Sequence, residues 1–199
     1  MSAAVIKYPR IVARWEPNAR GRLEQAALEL YVERGFDNTT VAEIAERAGL
    51  TERTFFRHFA DKREVLFGGS ADLLAAMVQT VAAAPKSAAP LDAVAAAFEA
   101  VTPIFEERGD VVRIRRSVIA ATPELQEREL IKLASWSSAL AEALRGRGVR
   151  EPAASLAAEA GVAVFRTAFE RWVTDERRRD LTRYIREGLE QLKVIAGGG

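Results

Sequence analysis

The side chains best suited to a chemical role lie in one short stretch, TERTFFRHF, which runs from Thr51 to Phe59. The guanidinium of Arg53 can donate two parallel hydrogen bonds to O6 and N7 of a guanine, a contact that contributes about 1 to 3 kcal/mol of discrimination between bases. The methyl group of Thr54 can contact the methyl group of a thymine. The stretch therefore predicts a surface that reads base edges in double-stranded DNA.

Catalytic and metal chemistry have little support in the same sequence. The chain has no cysteine and a single histidine, His58, so no set of histidines and cysteines can complete a metal site or a catalytic triad. It also lacks a glycine-rich phosphate-binding loop. We therefore expect neither an enzyme nor a metal or cofactor site. His58 itself has two open interpretations, a packed core residue or a donor to a phosphate.

Two short helices must position the DNA-reading stretch. Thr40 and Glu43 form the pattern of a capping box, and the helix that begins there ends at Gly49. Thr51 can cap the next helix, and Ala45 is small where the two helices must touch. Two helices joined by so tight a turn form a helix-turn-helix, whose second helix enters the major groove. A solvated amphipathic helix without a DNA partner is the alternative interpretation.

Three groups of residues in this part of the chain match a known signature: Thr40-Val41-x-x-Ile44-Ala45-x-x-Ala48-Gly49-Leu50-Thr51, Phe55-Phe56-Arg57-His58-Phe59 and Asp61-Lys62-Arg63-Glu64-x-Leu66. The pattern resembles the TetR family of bacterial transcriptional regulators. Phe56 departs from it, since many members have a tyrosine there whose hydroxyl bonds a phosphate. The resemblance implies DNA contacts from these residues: Thr40, Thr51, Arg53, Thr54, Phe56, Arg57, His58 and Lys62.

The distribution of charge also favours DNA near the N-terminus. The formal net charge of the 199-residue chain is only +1, which by itself predicts no acidic partner. Two interpretations of the basic arm, residues 1–16, remain open: it reaches along a groove of DNA, or it is a solvated tail. Residues 1–22 contain a single acidic residue, Glu16, and five basic residues: Lys7, Arg10, Arg14, Arg20 and Arg22.

Apolar residues recur at intervals of three and four along almost the whole chain, which predicts an all-α fold of about nine helices. After the arm we expect a three-helix helix-turn-helix DNA-binding domain (17–60) and a larger helical domain for ligand binding and dimerisation (61–199). The second of these is predicted to begin with one long helix, from Lys62 to about Ala83, in which two glycines either permit a bend or are tolerated. Its last helix is predicted over 176–195.

The larger domain carries candidate ligand contacts. Large apolar residues in its middle helices could line a pocket, although most such residues only fill a core. The arginines of the segment RGDVVRIRRS make it similar to a TetR subgroup whose ligands are thought to be long-chain acyl-CoA esters. An arginine face against the DNA-binding head is the alternative. The candidate ligand-binding residues are Met77, Phe98, Phe105, Arg113, Arg116 and Trp136.

Two apolar stripes near the C-terminus are the candidate dimer interface. A single helix-turn-helix reads few bases, so such proteins usually pair and read two half-sites related by a twofold axis. Members of the TetR family pair through their final two helices, while core packing within one subunit must account for part of both stripes. The stripes are Val162, Phe165, Phe169 and Trp172, and then Leu181, Ile185, Leu189 and Leu192.

Together these features predict a cytoplasmic, homodimeric, ligand-responsive repressor. It would bind a palindromic double-stranded DNA operator and leave it when a small hydrophobic effector binds, with acyl-CoA esters as the suggested effector class. The N-terminal sequence is interrupted by basic residues and is not a signal peptide, and no apolar run reaches membrane-spanning length. The alternative is a helical lipid or acyl-CoA binding protein or enzyme that retains the helix-turn-helix as a packing element.

Overall fold

The computed structural model describes residues 19–197, and within that range all regular secondary structure is helical, with no strand. This confirms the all-α prediction. A short 3-10 turn, Glu64–Phe67, lies between the third and fourth α-helices. The α-helices are α1 (Ala19–Arg34), α2 (Val41–Arg47), α3 (Glu52–His58), α4 (Ser70–Ala83), α5 (Pro90–Glu107), α6 (Gly109–Ala120), α7 (Pro123–Gly146), α8 (Ala153–Thr174) and α9 (Leu181–Gly197).

Side-chain caps fix the starts of the two short helices. The Thr40 hydroxyl accepts the Glu43 N–H at 3.2 Å, and the Glu43 carboxylate accepts the Thr40 N–H at 2.9 Å, so both halves of the predicted capping box form. The Thr51 hydroxyl accepts the N–H of Thr54 at 3.2 Å and caps α3. These bonds satisfy backbone donors that a helix N-terminus otherwise leaves without a partner.

The helix predicted from Lys62 to Ala83 is broken in two, so that prediction is wrong. Gly69 has a φ of 78°, a left-handed conformation that interrupts the helical path, and α4 begins only at Ser70. The Asp61 carboxylate accepts the N–H groups of Arg63 and Glu64 at 2.7 and 3.2 Å. The second half of the expected capping box is missing because the Glu64 carboxylate binds Arg128 of α7 instead.

The described part of the chain forms two hydrophobic cores, a head core and a body core. The head core joins α1, α2 and α3 to the 3-10 turn, whose Val65, Leu66 and Phe67 are buried in it. It is closed by Ile119 of α6 and Leu125 of α7, both with 0% exposure. The head core therefore extends past residue 60, where the sequence places the domain boundary, and α6 and α7 belong to both cores.

The body core is packed from α4, α5, α7, α8 and α9 around a cluster of aromatic rings. The rings of Phe98 and Phe165 stack with centroids 4.5 Å apart, and Trp136 lies 5.9 Å from Phe165. Helices α5 and α8 approach closely at Gly161, where an added Cβ would lie 2.3 Å from Cγ1 of Val94. The body is therefore a tightly packed bundle at this level.

The two stripes predicted for a dimer interface lie mostly inside this core, as the alternative of packing within one subunit implies. Burial within one chain leaves their side chains little surface for a partner, and a spacing of three and four does not distinguish the two environments. The stripe residues buried in this core are Phe165, Phe169, Trp172, Leu181 and Ile185, and Val162 and Leu192 pack against it half-buried. Leu189 is also buried within the chain.

The start of α9 also differs from the predicted one at position 176. The Asp175 carboxylate accepts the N–H groups of Arg177 and Arg179, both at 3.0 Å, and holds a turn in which Arg178 has a φ of 51°. Helical geometry resumes only at Leu181, whose N–H bonds Glu106 of α5 at 2.8 Å.

One stretch within residues 19–197, Glu64–Ala83, is long and apolar enough to cross a membrane by length and composition. Such a stretch is weak evidence, because core segments of soluble proteins pass the same test. Here the segment is interrupted at Gly69, and its Met77 and Val81 are fully buried in the body core.

Candidate nucleic-acid interface and effector cavity

The turn between α2 and α3 is shaped around Gly49. Its φ of 65° is left-handed, and an added Cβ would lie 2.7 Å from Nη2 of Arg22. That guanidinium, which comes from α1, donates to the carbonyl oxygen of Ala48, and the Leu50 N–H bonds the Ala45 carbonyl at 2.8 Å. Glycine is thus favoured both by the backbone conformation and by the arginine that closes the end of α2.

Helix α3 presents a polar face to solvent and an aromatic face to the head core. Phe55 is fully buried, and its ring lies 5.5 Å from that of Phe59. On the other side Arg53 and Arg57 are exposed, and within residues 19–197 neither side chain has a hydrogen bond or an ion pair. Phe56 is 56% exposed on the same helix. The helix therefore offers two unpaired guanidinium groups on a rigid support.

Two further predicted DNA contacts, Lys62 and Thr40, already have partners in the fold, and a third, His58, is half-buried. Lys62 Nζ donates to the carbonyl oxygens of Phe36 at 2.8 Å and Thr39 at 3.0 Å, which leaves one of its three N–H groups. The Thr40 hydroxyl is bound to Glu43. His58 is half-buried, and its Nε2 is buried without a hydrogen-bond partner among the described residues. Lys62 and Thr40 therefore stabilise the head whether or not they also bind DNA.

A cavity of about 260 Å³ opens in the body among α5, α6, α7 and α8. Three predicted ligand contacts, Phe105, Arg116 and Trp136, line it. The other three do not, and the structure corrects them. Met77 and Phe98 have 0 and 1% exposure in the core, and Arg113 lies over the Trp172 ring, 5.0 Å from its centroid.

The sequence interpretation missed the charged group at the polar end of this cavity, Arg115, Glu129 and Lys132. Lys132 Nζ lies 3.2 Å from Glu129 Oε1, and Arg115 Nη1 lies 3.8 Å from the same oxygen. Lys132 also lies over the Trp136 ring at 4.9 Å. The spacings of three and four residues from Lys132 to Glu129 and Trp136 were the available sequence signal.

Burial shifts the ionisation of these cations. The pKa of Lys132 is lowered to about 8, chiefly because burial removes water from the ammonium, and the nearby Arg115 lowers it further. Burial also lowers the pKa of Arg115. Glu129 opposes the shift at Lys132. The polar end of the cavity therefore holds positive charge in surroundings that disfavour it.

The same cations join the cavity to the head. Arg115 Nε donates to the carbonyl oxygen of Leu66 in the 3-10 turn, and Arg128 binds the Glu64 carboxylate through two nitrogens. Three cations lie around the Phe67 ring, with Arg115 and Arg128 5.0 Å and Lys132 5.6 Å from its centroid. The head core and the cavity thus meet at one cluster of charged side chains.

Two family models match the chain. Residues 24–68 match the model of bacterial regulatory proteins of the tetR family, and residues 88–195 match the MftR C-terminal domain. The first match covers the helix-turn-helix and the 3-10 turn, and the second covers the helices that form the cavity.

Curated relatives agree with these matches. The chain is 29% identical over 170 residues to MftR of Mycobacterium tuberculosis, a transcriptional regulator named for mycofactocin biosynthesis, covering 83% of this chain and 85% of MftR. It is 40% identical over 82 residues to the HTH-type transcriptional regulator TcmR of Streptomyces glaucescens, which is 41% of this chain but only 36% of TcmR.

Solved structures share the fold. The repressor FadR of Thermus thermophilus, solved with lauroyl-CoA, has a TM-score of 0.54 at 24% identity and covers 87% of this chain and 92% of its own. SmeT of Stenotrophomonas maltophilia, solved with triclosan, has a TM-score of 0.64 at 20% identity over 89 and 90% of the two chains. With both family models matched over the helix-turn-helix and the helical body, the chain belongs to the TetR family of bacterial transcriptional regulators.

Proposed function

We propose that this protein is a cytoplasmic, homodimeric repressor that binds a palindromic operator and is released by a small hydrophobic effector. The observation that carries the proposal is the exposed face of α3, where Arg53 and Arg57 have no partner within residues 19–197 while Phe55 anchors the helix from behind. Unpaired guanidinium groups on a rigid helix suit hydrogen bonding to DNA.

The predicted DNA contacts divide by chemistry. Arg53 and Thr54 are proposed to read base edges, because the N-terminal residues of a recognition helix reach furthest into the major groove. Arg57, His58 and Lys62 are proposed to bind phosphates, which adds affinity that falls with salt and carries no sequence information. Thr40, Thr51 and Phe56 border this surface.

Pairing is proposed to use the outward faces of α8 and α9, since their inward faces fill the body core. Leu156 near the start of α8 is 62% exposed, and Val194 and Ile195 near the end of α9 are 62% and 75% exposed. A twofold pair of these helices would bury such apolar side chains and place two α3 helices on one face of the dimer.

A small hydrophobic effector is proposed for the cavity, because aromatic side chains form much of its wall. Two related folds were solved with ligands that contain an apolar chain or ring: FadR with lauroyl-CoA and SmeT with triclosan. Acyl-CoA esters are accordingly the first class to screen. Binding would favour a spacing of the two α3 helices that no longer fits successive major grooves.

The test is a fluorescence-anisotropy titration into the DNA beside the protein's own gene, with a shuffled duplex of equal composition as the reference. We expect specific binding to be tighter by about 4 kcal/mol or more. Arg53→Ala should remove about 1 to 3 kcal/mol of that preference.

Arg150→Ala is the matched control, because Arg150 is exposed in the loop between α7 and α8, away from α3. It should leave both affinities unchanged. Equal, salt-sensitive binding of the two duplexes by the unmodified protein would contradict specific regulation by this DNA. Turnover of an acyl ester would instead support the enzyme alternative.

A further inference from the structure

The charged cluster between the cavity and the head indicates what kind of effector the cavity takes. We propose that the effector is a compact amphiphilic anion, a carboxylate on one apolar chain or ring, whose charged group is held between Arg115 and Lys132. We further propose that these two cations transmit its binding to the head. The inference rests on the proposed ligand-responsive regulation and names the ligand class and the residues that sense it.

The charge of the cavity wall favours an anion. Four cationic side chains line it against two carboxylates, so the wall carries an excess of two positive charges. Glu170 already accepts from Arg116 Nε at 2.7 Å, and Glu129 Oε1 is shared by Lys132 and Arg115. A bound anion near Arg115 and Lys132 would therefore neutralise part of this excess positive charge.

The shape of the cavity favours a small amphiphile over a large one. The lining also includes apolar side chains, among them the rings of Phe105, Phe165 and Phe169 and the side chain of Leu133. The volume of about 260 Å³ lies below the roughly 300 to 1,000 Å³ typical of sites for drug-sized ligands. A carboxylate with a short apolar tail matches both the cationic and the apolar side chains of the lining. The nucleotide part of a coenzyme A ester would have to remain outside the cavity.

The contacts of Arg115 provide the route to the head. Its guanidinium donates to the Leu66 carbonyl through Nε, faces Glu129 through Nη1 and lies 5.0 Å from the Phe67 ring centroid. A carboxylate in the cavity would compete with these partners for the same fork of donors. Any shift of Arg115 then acts directly on the 3-10 turn, whose Leu66 and Phe67 are buried in the head core.

The test uses calorimetric titration of the full-length protein with two carboxylates, octanoate and 4-phenylbutanoate, and with the primary amide of each. We expect at least one carboxylate to bind about tenfold or more tighter than its amide. Lys132→Met and Arg115→Met should each lower that affinity about tenfold. Arg113→Met, on the same helix but outside the cavity, should change it less than twofold.

Equal binding of acid and amide, or no binding of either pair, would overturn the ligand class. Tighter binding of octanoyl-CoA than of octanoate would also overturn it, because the recognised anion would then be a phosphate. If a methionine variant loses its helical circular-dichroism signal, Arg115→Lys replaces it. That variant keeps the positive charge but not the guanidinium fork, and it should still prefer the acid over the amide.

Transmission is measured separately, as the effect of the bound carboxylate on operator affinity. We expect saturating carboxylate to weaken operator binding about tenfold in the unmodified protein and less than threefold in Arg115→Lys. Selective carboxylate binding without any change in operator affinity would overturn the transmission role. Failure to bind an operator in the absence of carboxylate would instead count against the proposed function, since acid selectivity is measured without DNA.

Discussion

The arginines of α3 and the cations of the cavity carry similar groups in opposite surroundings. Arg53 and Arg57 are exposed and have no partner within residues 19–197, whereas Arg115 is pressed against Phe67 and hydrogen-bonded to Leu66. The exposed guanidinium groups form no hydrogen bond or ion pair within residues 19–197 and are available to an external partner. Arg115 is half-buried and links the cavity to the head core, so the proposed effector would act on both.

The largest expected effect concerns the packing of α3 on the head core through Phe55. Phe55→Ala should lower the free energy of unfolding of the head by about 3 to 5 kcal/mol, because Phe55 has 0% exposure in its core. Phe56→Ala is the matched control and should change it by less than about 0.5 kcal/mol, since Phe56 is exposed. Urea unfolding followed by circular dichroism measures both, and similar losses would show that the two faces of α3 are not distinct.

A pH series tests the ionisation of Lys132 in the cavity. Because the folded pKa of Lys132, about 8, lies below its ordinary value of 10.5, the folded chain gives up this proton first. Between these values the unfolded chain binds more protons, so stability should rise with pH. The groups that set this pKa are Arg115, Arg128 and Glu129.

The measurement compares the unmodified protein with Lys132→Met by urea unfolding at pH 7.5 and pH 10. The stability of the unmodified protein relative to the variant should rise by about 2 to 3 kcal/mol over this range. A constant difference would mean that the ammonium of Lys132 is solvated in the folded protein.

The rigidity of the body beneath the cavity can be tested at Gly161. Gly161→Ala should destabilise the protein by about 1 to 3 kcal/mol, because the new Cβ would lie 2.3 Å from Cγ1 of Val94. Gly146→Ala, near the end of α7, meets nothing within 4 Å and should be neutral or slightly stabilising. Thermal unfolding measures the stability of both variants. Equal stabilities would show that α5 and α8 are loosely packed at Gly161.

The smallest expected effect concerns a helix cap in the head. Thr40→Ala removes both bonds of the Thr40 side chain to Glu43 and should destabilise the head by about 1 kcal/mol. Thr167→Ala is a control, since Thr167 is exposed within α8. Amide hydrogen exchange at residues 41–47 should increase only in the first variant, and unchanged exchange there would show that α2 does not depend on its cap.

The head could be predicted closely because its determinants are local in sequence. Thr40 and Glu43 are three residues apart, as are Thr51 and Thr54, and each pair forms the hydrogen bond that its spacing implies. The sequence left a bend at the two glycines open, and the left-handed φ of Gly69 ends the helix there. The long-range contact of Glu64 has no signal in the local sequence. Glu64 binds Arg128, which is 64 residues away, instead of capping its own helix.

The cavity and the core stripes depend on contacts between distant segments. Nothing near Lys132 in the sequence indicates that its Nζ lies 5.6 Å from the Phe67 ring, and nothing near Arg115 indicates its bond to Leu66. The stripes of α8 and α9 were recognised as apolar, but their spacing fits an intrachain core as well as an interface. Which of the two holds is decided by the helices packed around them.

The unpaired arginines of α3 have a consequence for how this protein can diverge. Because Arg53 forms no hydrogen bond or ion pair within residues 19–197, substitution of this proposed base-reading residue should alter the DNA preference at little cost to folding. Substitution of Arg115 should cost more stability, since its guanidinium bonds the Leu66 carbonyl and lies over the Phe67 ring. Substitutions should therefore be tolerated more readily on the exposed face of α3 than at Arg115.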